Sequence, residues 1–367
     1  MDVTVLGGGL MGTSAAFFLA RRGRKVRLIE RGFIGAGATV ASFGNIRRTG
    51  RFLPQLPLAH RSLALWNRAE TLLGRDVEFR ATGHLRLIFD DSGMDKMQAY
   101  AAAAQPWDLD IEQLDKSELR HRFPGMGQEA IGASFSPQDG SANPRLIAPA
   151  FAQAAASTGV EVVSQAEVSG IIVTAQGFAV DTSKGRFESA SLLNCAGAWG
   201  RQIAEDFGEP VPLSVHGPQM GVTEALPHKI KPVIGMWSDG HGAYLRQVER
   251  GNVVFGGGVN RTPIDPVTGY AKVDPALLGK QLEKVIQLVP AMRNVTVIRQ
   301  WSGCEGYVAD DLPVMGPSST TPGLFHAFGF CGHGFQLGPG VGDAMAELID
   351  TGGCETPLEP FHIARFQ

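Results

Sequence analysis

Gly7, Gly9 and Gly12, in the run VTVLGGGLMG, have the spacing of a dinucleotide clamp. In such a clamp Gly7 permits the tight turn after a strand, Gly9 lets backbone approach a pyrophosphate, and Gly12 lets the next helix pack close to the strand. The helix N-terminus offers free N–H groups and a partial positive charge to the phosphates. Glu30 ends a second apolar run, KVRLIE, about 20 residues further on, where a carboxylate accepts hydrogen bonds from a ribose hydroxyl. It also disfavours NADP, whose extra phosphate it would repel. The spacing alone leaves NAD and FAD open.

Two further groups of residues could do chemistry. Tyr244 and Arg246, in GAYLRQVERG, stand two apart on a predicted strand and so share a face. There a tyrosine can hydrogen-bond a carboxylate and an arginine can pair with it bidentately. Near the end, LFHAFGFCGHGFQLGPGVGDAMAELI reads as a strand, a glycine-rich turn and a helix that begins at GDAMAELI. A helix N-terminus aimed at that turn stabilises negative charge, as a reduced flavin develops near N1 and O2 and a nicotinamide does not. His333, in the turn, is placed to hydrogen-bond flavin O2 or a substrate.

The elements that position these residues follow from pattern. Val3–Leu6 reads as a buried strand, and the helix from Leu10 stops at Gly23. After Glu30 the chain does not enter a crossover helix but the loop RGFIGAGATVASFGNIRRTGR, whose small residues let backbone lie along an extended ligand. Arg47, Arg48 and Arg51 add positive charge there, for phosphates, a substrate carboxylate or solvent. LPLAHRSLALWNRAETLLG has helical spacing, VEFRATGHLRLIFD alternates as strands do, and residues 91–125 read as helical. Asn143 is the expected N-cap of a helix with Pro144 at its first position and Gly159 at its stop. SLLNCAGAW fits a buried parallel strand that feeds a ligand-touching loop. GAYLRQVERGNVVFGGGV reads as a hairpin turning near Arg250–Asn252, and PALLGKQLEKVIQLVPAM as a helix.

At 367 residues the chain is long enough for about two domains. Its 47 glycines suit loops that approach a ligand closely. A formal net charge of −3 with no basic cluster argues against a nucleic-acid partner. No apolar run reaches the length of a membrane span. A strand beginning at Val3 leaves no room for a secretory leader, so a cytoplasmic protein with reduced thiols is expected. Cys195, Cys304, Cys331 and Cys354 lack metal-type spacing, and no metal is expected.

The motifs VTVLGGGLMG, LLNCAGAW, WSGCEGYVADDLPVMGP and GFCGHGFQLGPGVG occur in the order found in the D-amino acid oxidase-like flavoproteins, and the chain resembles that family along its whole length. Glycine oxidase, sarcosine oxidase and D-amino acid dehydrogenases belong to it. Within it, SFGNIRR and GFCGHGFQLGPGVG look most like the flavin subunits of heteromeric opine or hydroxyproline dehydrogenases. The resemblance implies an α/β chain, α+β overall. It has a Rossmann-like FAD-binding domain (residues 1–80, 139–212 and 296–367) and a substrate domain on a mostly antiparallel sheet (81–138 and 213–295). It implies non-covalent FAD and oxidation of a C–N bond, in an amine or amino acid, to an imine that hydrolyses. Other subunits are implied as partners, and any iron–sulfur relay must sit on them, because this chain lacks the cysteine set.

Carried over residue by residue, the resemblance places FAD along Gly7, Gly9, Leu10, Met11 and Gly12. The next contacts are Glu30, Arg31, Ala38, Thr39, Ser42, Gly44 and Asn45, then Val168, Cys195, Ala196, Gly197 and Trp199. The last are Gly303, Gly332, His333, Gly334, Phe335 and Gln336. The strand of Tyr244 resembles the one that supplies a substrate-binding tyrosine. One place departs from the family. Many members read W-x-G-x-R-P, with the arginine on the substrate carboxylate, whereas this chain reads WSGCEGYVAD, with Glu305 in that position. Either Arg246, Arg47 or Arg48 takes over as anchor, or the substrate presents a cation to Glu305. The second option favours an extra amine or guanidinium, as in an opine or a basic amino acid.

Overall fold

A computed structural model describes the whole chain except residues 228, 239, 241 and 266–269. The apolar run at the start becomes a central strand, Val3–Leu6, of a six-stranded sheet. The order across that sheet is Val314–Pro317, Leu324–Phe328, Ser191–Asn194, Val3–Leu6, Val26–Ile29 and Glu161–Val163. Every pair is parallel except the one made by the edge strand Val314–Pro317. Continuous apolar strands need cover on both faces. Helices Leu10–Arg21, Ile147–Ser157 and Gly334–Thr351 pack on one face. On the other lies the antiparallel meander Val168–Thr174, Gly177–Thr182 and Gly185–Ser189, with Phe178 and Val180 against Leu6, Ile29 and Leu192.

The second sheet has eight strands: Val297–Ser302, Gln219–Ala225, Asn252–Gly257, Ala243–Gln247, Val233–Met236, His84–Ile88, Gly132–Ser136 and Glu112–Asp115. All its pairs are antiparallel except Val233–Met236 with His84–Ile88. The expected hairpin pairs Ala243 with Gly257 and Gln247 with Val253. Helix Leu277–Leu288 packs on this sheet through Val285 and Leu288. Among the described residues no helix is long and apolar enough to cross a membrane.

Four expectations need correction. Residues 91–125 are not all helical, since Glu112–Asp115 is the edge strand of the second sheet, followed by a capping box on Asp115 and Glu118. Val297–Ser302, expected with the nucleotide part, is the opposite edge of that sheet. Asn143 does not cap a helix directly: its side chain accepts the Arg145 N–H (3.0 Å) in a turn, and the helix starts at Ile147.

The fourth correction is the largest. GFQLGPGVG is not a turn but the first half of the 18-residue helix Gly334–Thr351. Its glycines face neighbours, with Gly338 against Leu10, Gly340 against Leu58 and Ser62, and Gly342 against Ser14. A Cβ at any of them would collide. Pro339 removes one backbone N–H, and Ser62 bridges this part of the ladder. Its hydroxyl donates to the Gln336 carbonyl (2.5 Å) and accepts the Gly340 N–H (3.2 Å). Close packing of three helices outweighs the poor helix propensity of glycine and proline.

Candidate active site

A cavity of about 920 Å³ runs from the glycine turn, along the carboxyl ends of the parallel strands, to the second sheet. Clefts at that edge of an open α/β sheet are where such folds take ligands. At Gly7 the backbone has φ +106° and lies against the Cys195 carbonyl, an approach closed to any side chain. The helix ladder opens with Thr13 N–H to Gly9 O (3.0 Å), so the first-turn N–H groups precede it. One of these, on Leu10, donates to Thr39 Oγ1 (3.0 Å). Glu30 is held by Gly8 N–H on Oε2 (2.6 Å) and Gly32 N–H on Oε1 (2.7 Å). Gly8 had not been singled out, but a Cβ there would press on Glu30 itself.

The structure brings most of the expected cofactor residues to this one cavity. Gly7, Gly9, Leu10, Met11, Glu30, Arg31, Ala38, Thr39, Ser42, Asn45 and Val168 line it. So do Cys195, Ala196, Gly197, Trp199, Gly303, Gly332, His333, Gly334, Phe335 and Gln336. Two do not. Gly12 packs on the Gly7 carbonyl, and Gly44 lies between the Ala142 carbonyl and the Arg246 guanidinium. The Arg31 guanidinium stacks 3.6 Å from the centre of the Trp199 ring and gives the wall a flat, cationic end.

Three observations test whether this cavity fits FAD. Its volume lies in the range of cofactor sites. A Cβ on Gly197 or Gly332 would meet nothing within 4 Å, and one on Gly9 would meet only Thr39 Oγ1 at 3.5 Å, so these positions face open space. Asn45 Oδ1 and Gln336 Oε1, both on cavity-lining residues, are buried with no hydrogen-bond partner among the described residues. The residues fit the group.

The far end is built from side chains. Arg47, Tyr244, Glu305 and His333 line it, joined by Arg51, Arg261 and Tyr307. Arg246 is not among the lining residues, although it shares a strand face with Tyr244. Its Nε donates to the Phe43 carbonyl (2.7 Å), beneath the loop rather than in the cavity. Arg48 also stays out, bound to Gln138 Oε1 (2.9 Å) and beside His60. Of the three replacement anchors weighed from sequence, only Arg47 reaches the cavity.

Arg51 is 4% exposed. Its Nε donates to the Arg47 carbonyl (2.7 Å) and its Nη1 to the His333 carbonyl (3.2 Å), which ties the arginine loop to the C-terminal helix. Behind them Arg86 lies 3.6 Å from the centre of the Trp237 ring, with Nη1 unpartnered among the described residues. Burial pushes all three guanidinium pKa values down, that of Arg86 to about 9, and repulsion from Arg47 adds to the effect on Arg51 and Arg86. The nearby carboxylate, Asp139, accepts the backbone N–H groups of Arg48 (3.0 Å) and Thr49 (3.4 Å). The cluster carries excess buried positive charge.

His333 is neutral at ordinary pH. Burial, and then Arg51, Arg47 and Arg261, push its pKa well below the usual value. Gln55 Oε1 sits 2.8 Å from Nδ1, which places the proton there and leaves Nε2 as an acceptor. Tyr244 is held protonated by burial and by Glu305, with its ring edge-on to Phe43. Glu305 accepts Tyr307 O–H on Oε2 (2.9 Å) and Gly332 N–H on Oε1 (2.8 Å). Burial raises its pKa, while those two bonds and nearby Arg261 oppose the rise. The chain itself therefore puts a cation near Glu305. Burial also raises the Cys304 and Cys331 thiols, the latter to about 12.

Arg261 and Tyr307 were missed from the sequence. The spacing rule that singled out Tyr244 would have found Tyr307, two residues after Glu305 on one strand. Nothing local marks Arg261, which reaches the site by folding back onto the Tyr307 ring, 3.7 Å from its centre.

The sequence profile of the family described as DAO, FAD dependent oxidoreductase, matches residues 2–348. Glycine oxidase from Geobacillus kaustophilus (strain HTA426) is 28% identical over 375 residues, which span 99% of this chain and 97% of that protein. Sarcosine oxidase subunit beta from Rhizobium meliloti (strain 1021) is 28% identical over 378 residues, covering 100% of this chain and 88% of that protein. Among solved structures, L-proline dehydrogenase from P. horikoshii superposes with a TM-score of 0.92 at 28% identity, over 100% of this chain and 97% of that one.

Proposed function

Because this chain belongs to the FAD dependent oxidoreductase family and is an FAD-dependent amino acid or amine oxidoreductase, we propose that it oxidises the C–N bond of an opine-like or D-configured amino acid, or of a secondary amine, as the flavin subunit of a heteromeric cytoplasmic dehydrogenase. FAD held here would supply a hydride acceptor, N5, for oxidation of the substrate C–N bond to an imine that water hydrolyses. The clamp around Gly7 and Gly9, with Glu30 and Thr39, holds the ADP half without a covalent bond. Arg47 and Arg51 pair with the substrate carboxylate, and the Tyr244 hydroxyl donates a further hydrogen bond. Together they fix the α-carbon in one orientation, which removes much of the entropic barrier. His333 Nε2 accepts an amine N–H. Glu305, Tyr307 and Arg261 form the polar side of the same end.

The observation that carries this reading is one cavity with a dinucleotide turn at one end and buried guanidiniums beside a protonated tyrosine at the other. The subunit assignment is supported by the likeness, along the whole chain, to a protein named as a beta subunit. A stand-alone oxidase is the second reading, favoured by the glycine oxidase that matches over 97% of its own length. The test is the visible spectrum of the purified chain without air, before and after adding opines, D-amino acids, hydroxyproline and sarcosine. Bleaching by one class supports the reaction and names its substrate, whereas a flavin untouched by every amine overturns it. Slow reoxidation by air then supports the dehydrogenase subunit, and rapid peroxide formation the stand-alone oxidase.

A further inference from the structure

We propose that the substrate is a dianion, with one carboxylate on Arg47 and Arg51 and a second carboxylate on Arg261, on either side of the nitrogen that is oxidised. This rests on the amine-oxidising reading above and narrows it to N-substituted amino acids that carry two carboxylates.

The first argument is charge. Among the described residues, three guanidiniums, Arg47, Arg51 and Arg261, line the substrate end of the cavity, with one carboxylate, Glu305, among them. Just behind, Arg86 adds a fourth cation and Asp139, which attracts Arg47, Arg51 and Arg86, adds a second anion, so the two offset one another. A cation taken out of water, as Arg51 is, is costly unless paired. A zwitterionic amino acid has no net charge to offer them. A dicarboxylate whose amine has lost its proton brings two negative charges, which match the three cations and one anion lining this end.

The second argument is geometry. Arg47 and Arg51 sit on the loop after the short strand Asn45–Ile46, whereas Arg261 follows strand Asn252–Gly257. The stations are thus anchored on separate elements, with Tyr244 within the electrostatic reach of both Arg47 and Arg261. The Arg261 guanidinium lies over the Tyr307 ring, 3.7 Å from its centre, and no described residue accepts a hydrogen bond from it. A stacked guanidinium keeps its N–H edge free, and that edge matches a carboxylate bidentately. Arg261 is solvent-exposed, so the second carboxylate is bound at the mouth of the cavity.

The test uses the FAD-loaded protein and thioethers, in which sulfur replaces the oxidisable nitrogen. Thioether dicarboxylates with one- and two-carbon arms are compared with (methylthio)acetate, which has one carboxylate, by calorimetry and by perturbation of the flavin spectrum. At least one dicarboxylate is expected to bind about tenfold or more tighter than the monocarboxylate, a ratio within reach of one charged pair. Arg261→Gln is expected to reduce that ratio to near one, and Arg261→Lys to restore part of it. Equal binding by all the probes, or a ratio that survives Arg261→Gln, overturns the proposal. These probes cannot be oxidised, so the two readings fail separately. A protein that shows the ratio but is bleached by no amine loses the amine-oxidising reading alone, and one that is bleached but shows no ratio loses only the dianion.

Discussion

The two ends of the cavity are made from different materials. The nucleotide end is backbone: the turn at Gly7, the first-turn N–H groups of the first helix, and a glutamate clamped by two further N–H groups. The substrate end is side chains drawn from distant segments, Arg47 and Arg51 from one, Tyr244 and Arg261 from another, Glu305 and His333 from a third. A backbone site depends on a short stretch of φ and ψ angles and on the absence of Cβ atoms, so it is written in consecutive residues. A side-chain site depends on how sheets and helices meet, so its parts can be exchanged one at a time while the cofactor end stays fixed. Glu305, at the place where the family resemblance implies an arginine, fits such an exchange, with Arg47 and Arg51 reaching the cavity from another segment.

The largest expected effect breaks the backbone end. In Gly12→Val the new side chain collides with the Gly7 carbonyl, which the turn cannot relieve without losing its approach to Cys195. The variant is expected to purify colourless, measured as flavin absorbance per polypeptide. A near-stoichiometric flavin content would show that the turn is not the cofactor anchor. The next effect breaks the other end alone. Arg47→Gln is expected to keep its flavin and to lose about 4 kcal/mol of substrate interaction, about a thousandfold in the second-order rate of flavin reduction. Equal losses of colour and of reduction would mean that the two ends are not separable.

The same contrast explains what could be read from sequence. The strand–turn–helix at Val3–Arg21 and Glu30 were legible because each signal lies within a few residues of the next. The hairpin around Tyr244 was legible for the same reason. Arg246 misled because strand alternation gives the face but not what covers it, and the Phe43 carbonyl covers it here. The C-terminal helix misled because GFQLGPGVG reads as punctuation in isolation. Its glycines serve Leu10, Leu58, Ser62 and Ser14, residues some 280 to 330 positions earlier in the chain. Arg261 left no local mark.

A third variant probes the support beneath the nucleotide end. His326, on a central strand, holds Glu209 Oε2 through Nε2 (2.9 Å), and both residues are 0% exposed at the side chain. Its Nδ1 faces Asn194 (3.3 Å), whose Oδ1 accepts the Ala196 N–H (3.2 Å) of the cavity-lining loop. Burial alone would raise Glu209, but His326 and the Ser318 and Ser319 donors more than offset it and bring its pKa down from 4.5 to about 2. A depressed acid contributes stability that is complete above its unfolded value and is lost as pH falls through its folded value. The window here runs from about pH 4.5 down to about 2. Glu209→Gln is expected to lower unfolding free energy by about 3 kcal/mol at pH 7, with a smaller difference at pH 3, by urea titration. A difference that does not change with pH would leave the pair a purely steric role.

The smallest expected effect sharpens the substrate end. Glu305 carries a raised pKa and sits among Arg261, Tyr307, Tyr244, Cys304 and Cys331. Its neutral form repels a carboxylate less than its ionised form does, so anion binding favours the protonated state. The dissociation constant of a thioether dicarboxylate is therefore expected to increase several-fold as pH rises through the raised Glu305 value, an effect of about 1 kcal/mol. Glu305→Gln is expected to flatten that profile and leave binding at its low-pH strength. A cationic substrate held by Glu305 gives the opposite sign: binding would strengthen as pH rises, and Glu305→Gln would weaken it. The slope of one binding curve against pH thus decides whether the acid in place of the family arginine attracts the substrate or tempers Arg261, its cationic neighbour.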